Sequence, residues 1–292
     1  MNSKNYQLVD VGFSKIFVHK NDPGISRALI KFNKSKSKWP REPEFMEISS
    51  QEINDGDVVL DIGANIGFMT TFFSKMNGQS QIYALEPDPS NFKLLQENIN
   101  KLGIESSVHA ENLAVWKSDG VVELNISKSS NLHSIHNSDS GNKISIPAVT
   151  VSSFLNNKKN PNFIKMDVEG AEVEIFEGMK NFVLNTNHTI KILVEVHPNY
   201  YSNEHSFAPQ LKWYEQNGFK AKYLISATVS EPDFFVERGL NPSQSYSMGG
   251  YSRGLYENLE MKTIVEAINN DKPQKFYPPT RINKILSFFG LP

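Results

Sequence analysis

Residues 58–70 read Val-Val-Leu-Asp-Ile-Gly-Ala-Asn-Ile-Gly-Phe-Met-Thr. A short apolar run closes on an acid and a glycine, and a second glycine opens the next apolar stretch. That pattern predicts a strand, a tight turn and a helix over 68–76. The alternation continues outward from there. A strand is expected over 81–87 (QIYALEP), stopped by Pro87. A helix is expected from Ser90 to Leu102, where Phe92, Leu95 and Ile99 share a face and Gly103 ends it. The stretch 106–115 (SSVHAENLAV) gives a strand and a loop, and 163–167 (FIKMD), 191–197 (KILVEVH) and 219–225 (FKAKYLI) give three more strands. Helical spacing recurs over 171–179 and 209–216. Short, strongly apolar strands separated by helices imply an α/β fold, with a mostly parallel sheet covered on both faces. Ligands bind such sheets outside the carboxyl ends of the strands. This singles out Asp61, Glu86, Asp167, Glu195 and His197, against the plainer reading that strand-end acids only cap.

Composition narrows the classes. The chain has 292 residues, a formal net charge of −2, 39% hydrophobic and 11% aromatic residues, and no cysteine. Near-neutral charge leaves no global footprint for nucleic acid, so a nucleic-acid partner is not expected. The apolar content excludes a disordered chain. The lack of cysteine excludes disulfides, thiolate zinc sites and a cysteine nucleophile. The opening MNSKNYQLVDVGFSK lacks the apolar stretch of a secretory leader, and no run is long enough to span a bilayer. A cytoplasmic protein without a transmembrane segment is expected; oligomeric state is not read.

The turn Asp61–Gly67 carries the first chemistry. Gly63 permits a tight turn with room for a ligand, Gly67 permits close packing of helix on sheet, and the free N–H groups at the helix start favour an anionic group. Glu86, ending the second strand, is placed to accept hydrogen bonds from both hydroxyls of a ribose. A nicotinamide-type loop would read G-x-G-x-x-G; this one reads D-x-G-x-N-x-G. An acid ahead of the first glycine suits a positively charged ligand part, such as the amino group or sulfonium of S-adenosylmethionine. Another kind of nucleotide-binding domain is the alternative. Asp61 and Gly63 are assigned to the amino-acid end of that cofactor, and Asn112 to the neighbourhood of the adenine. Asn65 either bonds the methionyl carboxylate or closes the turn on itself.

Four stretches resemble the FkbM-like family of class I S-adenosylmethionine-dependent methyltransferases: VVLDIGANIGFMT (58–70), ALEPDPSNFKLLQENI (84–99), FIKMDVEGAEVEIFEGM (163–179) and ILVEVHP (192–198). The IKMDVEGAE portion is the most specific; NLAV (112–115) and Glu42-Pro43-Glu44 add to it. The resemblance covers roughly residues 42–200. It implies a Rossmann-like class I methyltransferase fold: a seven-stranded sheet with a reversed last strand, flanked by helices. It also implies O-methylation of sugar or natural-product hydroxyls. One departure stands out: many members carry an acidic pair after a Thr-Leu step, where this chain reads Thr150-Val151-Ser152-Ser153. The expected organisation is an N-terminal extension (1–52), a cofactor-binding methyltransferase domain (53–230) and a C-terminal extension (231–292) serving as lid or docking segment.

A hydroxyl is a poor nucleophile, so O-methylation calls for a base or a metal. His197 is the expected base, against a role in holding the loop before Pro198. Asp167 is expected to orient the acceptor hydroxyl or hold the sulfonium side of the cofactor. Glu169 and Glu172 sit where a helix dipole favours acids. Period-two alternation aims Glu195 and His197 the same way, and with Asp167 they make an O/O/N set able to hold Mg²⁺ or another divalent ion. His133 and His136 either reach over the site or are solvated. Outside the site, Lys31, Lys34, Lys36 and Lys38 precede Trp39 and Arg41 as a basic cluster for an anionic partner, or as a solvated loop. Residues 241–256, with Tyr246, Tyr251, Arg253 and Tyr256, form a candidate substrate lid. INKILSFFG (282–290) either forms a short amphipathic helix for a partner or a membrane surface or packs onto the parent domain, in a tail carrying Lys272, Lys275, Phe276, Tyr277, Arg281 and Lys284. The favoured acceptor is a saccharide or glycosylated metabolite; methylation of RNA or protein, or a non-catalytic cofactor-binding scaffold, are the alternatives.

Overall fold

A computed structural model describes residues 5–35, 41–76, 81–127, 129, 133–135, 142–226, 233–248, 251–270 and 285–290. His136, Lys36, Lys38, Trp39, Lys272, Lys275, Phe276, Tyr277, Arg281 and Lys284 lie outside the described residues.

The chain opens with a hairpin, β1 (Tyr6–Asp10) and β2 (Lys15–His19), then helices α1 (Ile25–Ser35) and α2 (Pro43–Glu52). The alternating core follows: β3 (Val58–Ile62), α3 (Phe68–Met76), β4 (Gln81–Leu85), α4 (Pro89–Leu102) and β5 (Val108–Glu111). A small side sheet comes next, from β6 (Ala114–Val115), β7 (Gly120–Asn125) and β8 (Lys143–Val149), ahead of α5 (Val151–Phe154). The core resumes with β9 (Phe163–Met166), α6 (Glu172–Asn185), β10 (Lys191–Val196), α7 (Ala208–Gln216) and β11 (Lys220–Ile225). The last part holds α8 (Asp233–Val236), β12 (Gln244–Met248), β13 (Tyr251–Glu257), α9 (Met261–Asn270) and β14 (Ile285–Gly290).

Local chemistry explains the boundaries. The Asp88 side chain caps α4 by accepting from Asn91 N at 2.7 Å, Pro89 fills its first turn, and Gly103 ends it in left-handed backbone at φ 63. β3 is buried at all five positions, as a central parallel strand must be. Its side chains alternate. Leu60 and Ile62 join Ile164, Met166, Val194 and the α6 residues Ile175, Phe176 and Met179 on one face. Val59 joins Ile82, Phe163, Leu193 and residues of α2, α3 and α4 on the other.

The main sheet runs β12-β13-β11-β14-β10-β9-β3-β4-β5. β5, β4, β3, β9 and β10 are parallel, and β14 inserts antiparallel between β10 and β11. This is the Rossmann-like class I methyltransferase architecture, with a correction to the strand count. Among the described residues the sheet has nine strands, so the expected seven are not confirmed; the hairpin β12–β13 extends it past β11. A second correction concerns the tail: residues 285–290 form a strand, not an amphipathic helix. Its β-branched and aromatic residues suit either state, and the slot between two strands offers backbone partners on both sides.

The chain leaves β3 for β4 and β5 on one side, then returns to β9 on the other. The strand order therefore reverses at the β3/β9 boundary, where this fold opens its ligand crevice. The side sheet leans over it: Ser134 Oγ donates to the Glu169 carbonyl at 2.7 Å. The described residues of the candidate lid contact the body. Tyr246 donates to Glu47 Oε2 at 2.9 Å, Tyr256 stacks on Phe235 at 4.1 Å, and Arg253 pairs with Glu44. At the Thr150–Ser153 step, Ser153 Oγ donates to Asp119 Oδ2 at 2.6 Å, so an acid from the turn before β7 reaches this position. Among the described residues no helix is long and apolar enough to cross a membrane.

Candidate cofactor and acceptor site

The turn after β3 is bound to Glu86 and to the end of β9. Glu86 is buried at the end of β4; its Oε2 accepts from Asn65 N at 2.7 Å and its Oε1 from Asp88 N at 2.9 Å. Burial pushes its pKa up to about 8, against the lowering effect of those two N–H groups. Gly63 sits at φ 75, and a Cβ there would lie 1.9 Å from the Asp167 carbonyl oxygen. Gly67, at φ 86, brings α3 against Leu95, whose Cδ1 would lie 2.7 Å from an added Cβ. Asn65 is left-handed at φ 51, and its Oδ1 accepts from Ile66 N at 2.8 Å, so the side chain closes the turn on itself. Asn112 Nδ2 donates to the carbonyls of Glu86 and Pro87, each at 2.8 Å, and so fixes the strand end that aims Glu86.

Sequence reading missed Lys165. Asp61 is fully buried; its Oδ2 accepts from Thr70 Oγ1 at 2.6 Å and its Oδ1 lies 3.1 Å from Lys165 Nζ. Lys165 Nζ also donates to the Gly63 carbonyl at 2.9 Å. Burial works against this ammonium, but Asp61, helped by Asp167, outweighs it and raises its pKa. The signal was present in FIKM: a lysine in a fully buried strand needs a buried acid.

The second half of the site lies where β9 and β10 end. His197 is fully buried. Its Nδ1 is 2.5 Å from Glu172 Oε1, and its Nε2 faces Glu169 Oε2 at 3.4 Å, Asp167 Oδ1 at 3.6 Å and Glu195 Oε1 at 4.0 Å. Burial disfavours the charged ring, but Glu169, Glu172 and Glu195 outweigh it and push its pKa up to about 10. Glu172 also accepts from Tyr201 Oη at 2.8 Å and Gly170 N at 3.1 Å, so this acid does more than complement a helix dipole. Glu169 holds left-handed backbone at φ 49, an uncommon state for a glutamate, followed by Gly170 at φ 104. That turn carries its carboxylate to His197. Arg41, paired to Glu42 at 2.6 Å, also feels Glu195 and Asp167, which help raise its pKa.

A solvent-open cleft joins the two halves. Gly63, Asn65, Glu86 and Asp167 line it; so do His133, one of whose two readings reached over the site, and Glu169, which was expected only where a helix dipole favours acids. His133 reaches over from the side sheet, its Nδ1 accepting from Ser127 N at 3.0 Å. Asp61, Gly67, Asn112, Glu195 and His197 stand behind the wall. His197, expected at the acceptor, therefore lies behind Asp167 and Glu169.

Residues 61–221 match the family model described as the methyltransferase FkbM domain, more than half of the chain. The chain belongs to this family of methyltransferases. Among curated proteins this FkbM methyltransferase is similar to the hexuronic acid methyltransferase AglP of Haloferax volcanii, 25% identical over 158 residues, 53% of this chain and 62% of that protein. It is also similar to Methyltransferase 1 of Beauveria bassiana, 26% identical over 148 residues, 43% of this chain and 59% of that protein. The matches thus span about three fifths of each curated relative's length. Among solved structures, the methyltransferase FkbM of Methylobacillus flagellatus KT aligns with a TM-score of 0.44 at 16% identity, covering 89% of this chain and 52% of that one. The span matched to the FkbM domain begins at Asp61 and takes in Glu86, Asp167, Glu169 and His197.

Proposed function

We propose that this protein is an S-adenosylmethionine-dependent O-methyltransferase acting on a hydroxyl of a saccharide or glycosylated metabolite. The observation that carries the reading is Glu86: a buried carboxylate on the cavity wall, aimed by two backbone N–H groups and facing a turn that admits no Cβ at Gly63. Such a set suits a ribose bearing a neighbouring cationic sulfonium. When bound, S-adenosylmethionine supplies an electrophilic methyl whose carbon–sulfur bond breaks as an acceptor oxygen attacks in line, the bonding pair staying on sulfur.

The chain's own residues do the rest. Glu86 accepts hydrogen bonds from the ribose hydroxyls, and the Gly63–Asn65 turn seats the amino-acid end. Asp61 acts from below, through Lys165, by fixing that turn. Of the acids lining the acceptor end of the cavity, Asp167 is the more open, a quarter exposed (25%) against 8% for Glu169. It takes the acceptor proton, while His197 positions Asp167 from behind. Orienting the acceptor oxygen behind the methyl lowers the barrier by roughly 7–11 kcal/mol in favourable cases. The sugar class draws on the similarity to a protein named for hexuronic acid methylation, and the net charge of −2 favours it over RNA.

The test has two arms. S-adenosylhomocysteine should raise the melting temperature of the purified chain. Incubation with S-adenosylmethionine and a panel of uronic acids, nucleotide sugars and glycosides should give a product heavier by one methylene on oxygen. No thermal shift at millimolar ligand refutes the cofactor. Methyl transfer to RNA or protein, with none to the panel, refutes the acceptor class.

A further inference from the structure

Asp167, Glu169 and His197 each offer one ligand atom to a common point, and the three atoms lie within 4.8 Å of one another. The decisive atom is His197 Nε2. The ring is fully buried, and Nε2 has no hydrogen-bond partner. It points between Glu169 Oε2 at 3.4 Å and Asp167 Oδ1 at 3.6 Å. A charged N–H donating to a carboxylate would close to about 2.7–2.9 Å. The wider spacing is that of neighbouring ligands around an ion held at roughly 2.1 Å from each.

The surroundings are built to hold the imidazole in that pose. Nδ1 is 2.5 Å from Glu172 Oε1, which fixes the ring and turns Nε2 toward the two carboxylates. Glu172 is itself fully buried and anchored by Tyr201 Oη and Gly170 N. A carboxylate behind the far nitrogen is the usual support of a metal-ligating histidine. Glu169 reaches the cluster through left-handed backbone at φ 49, and Ser134 clamps that turn by donating to the Glu169 carbonyl at 2.7 Å.

We propose that Asp167, Glu169 and His197 bind one divalent first-row transition-metal cation, Mn²⁺ being the best match, at the cavity edge. Two carboxylates and an imidazole favour Mn²⁺ over Mg²⁺, which prefers oxygen ligands and keeps its water. Glu169 takes the place that sequence alternation gave to Glu195, whose Oε1 is 4.0 Å from Nε2. Asp167 and Glu169 also line the cavity, so an acceptor seated there would adjoin the cation. There the cation would bind the acceptor oxygen and make its hydroxyl a stronger acid, so that its proton passes more readily to the other Asp167 oxygen as the oxygen attacks the methyl. This role rests on the methyl-transfer reading; binding of the cation does not.

The experiment uses the full chain, treated with chelator, dialysed and titrated with Mn²⁺ while the paramagnetic resonance signal of the free ion is followed. Melting temperature is measured in parallel. The expected result is one Mn²⁺ per chain with a raised melting temperature. Binding should be weaker by about tenfold or more in Glu169→Gln and lost in His197→Gln. Should His197→Gln fail to fold, Glu169→Gln, which keeps its shape, still decides. S-adenosylhomocysteine binding should be retained by Glu169→Gln. The proposal is overturned if the folded chain leaves millimolar Mn²⁺ free, or if Glu169→Gln binds like the unsubstituted chain. Full methyl transfer by the chelated chain would overturn the cation's role in activating the acceptor and leave the proposed function standing. Mn²⁺ binding without S-adenosylhomocysteine binding would do the reverse.

Discussion

Raising the pH from about 7 to about 9 should tighten the binding of S-adenosylhomocysteine through one group, Glu86. Its side chain is 4% exposed, and burial pushes its pKa up to about 8 although Asp88 N and Asn65 N both donate to it. Ribose hydroxyls donate hydrogen bonds, so they pair best with the ionised carboxylate. With a pKa near 8, roughly one free chain in ten carries that form at pH 7, and about nine in ten at pH 9. Affinity should therefore rise on the order of tenfold across this interval, about 1.4 kcal/mol. Binding at pH 7 should also release close to one proton, read from calorimetric heats in two buffers of different ionisation enthalpy. Glu86→Gln keeps the size of the side chain and cannot ionise, so its affinity should be weaker and flat with pH. The same shift has a stability side. The folded pKa lies above the ordinary value of 4.5, so the stability this group contributes is fully present below that value and is lost as pH rises through about 8. Saturating ligand should flatten that decline. Constant affinity without proton release, or a pH rise that survives in Glu86→Gln, would refute the reasoning.

Two further outcomes follow from the buried contacts under the turn. Lys165→Met should leave Asp61 as an uncompensated buried charge, a loss of about 3–5 kcal/mol and on the order of 10 °C in melting temperature. Adding Asp61→Asn should recover part of that loss in thermal denaturation, and strictly additive losses would mean the two groups do not act as a pair. Gly63→Ala should drive its Cβ into the Asp167 carbonyl oxygen, 1.9 Å away, where no side-chain rotation relieves it. Its melting temperature should fall, and calorimetry should show S-adenosylhomocysteine affinity reduced about tenfold or more, because the turn and the end of β9 must separate.

Much of the cofactor half was legible because its signals are local. The step Asp61–Gly67, the acid ending QIYALE and the stop at Pro87 each lie within a few residues, and strand-end placement follows from the α/β alternation. The acceptor half was less legible, since its geometry depends on backbone conformation and long-range packing. Glu169 reads as a helix-dipole acid until the left-handed turn at φ 49 directs it inward. Glu195 and His197 do face the same cluster, as alternation predicted, yet Glu169 comes closer to Nε2 than Glu195 does, at 3.4 against 4.0 Å. Residues 285–290 show the same limit in the fold. Ile-Leu-Ser-Phe-Phe-Gly fits helix or strand locally, and the vacancy between β10 and β11, set by residues far away in sequence, decides for the strand.

The two halves meet through one strand. Lys165 and Asp167, two positions apart on the β9 run, touch the same residue of the turn. Lys165 Nζ bonds the Gly63 carbonyl at 2.9 Å, and the Asp167 carbonyl occupies the space a Gly63 side chain would need. Asp167 then carries the contact on, its Oδ1 lying 3.6 Å from His197 Nε2. Strands buried on both faces and packed at crystal-like density do not slide freely, so a displacement of Asp167 must either move the turn or break the Lys165 bond. Glu86 is tied to the same turn through Asn65 N at 2.7 Å. In the proposed reaction, the cofactor and the group facing the acceptor would therefore be held by common atoms, as an in-line transfer with a tolerance well under about 1 Å requires.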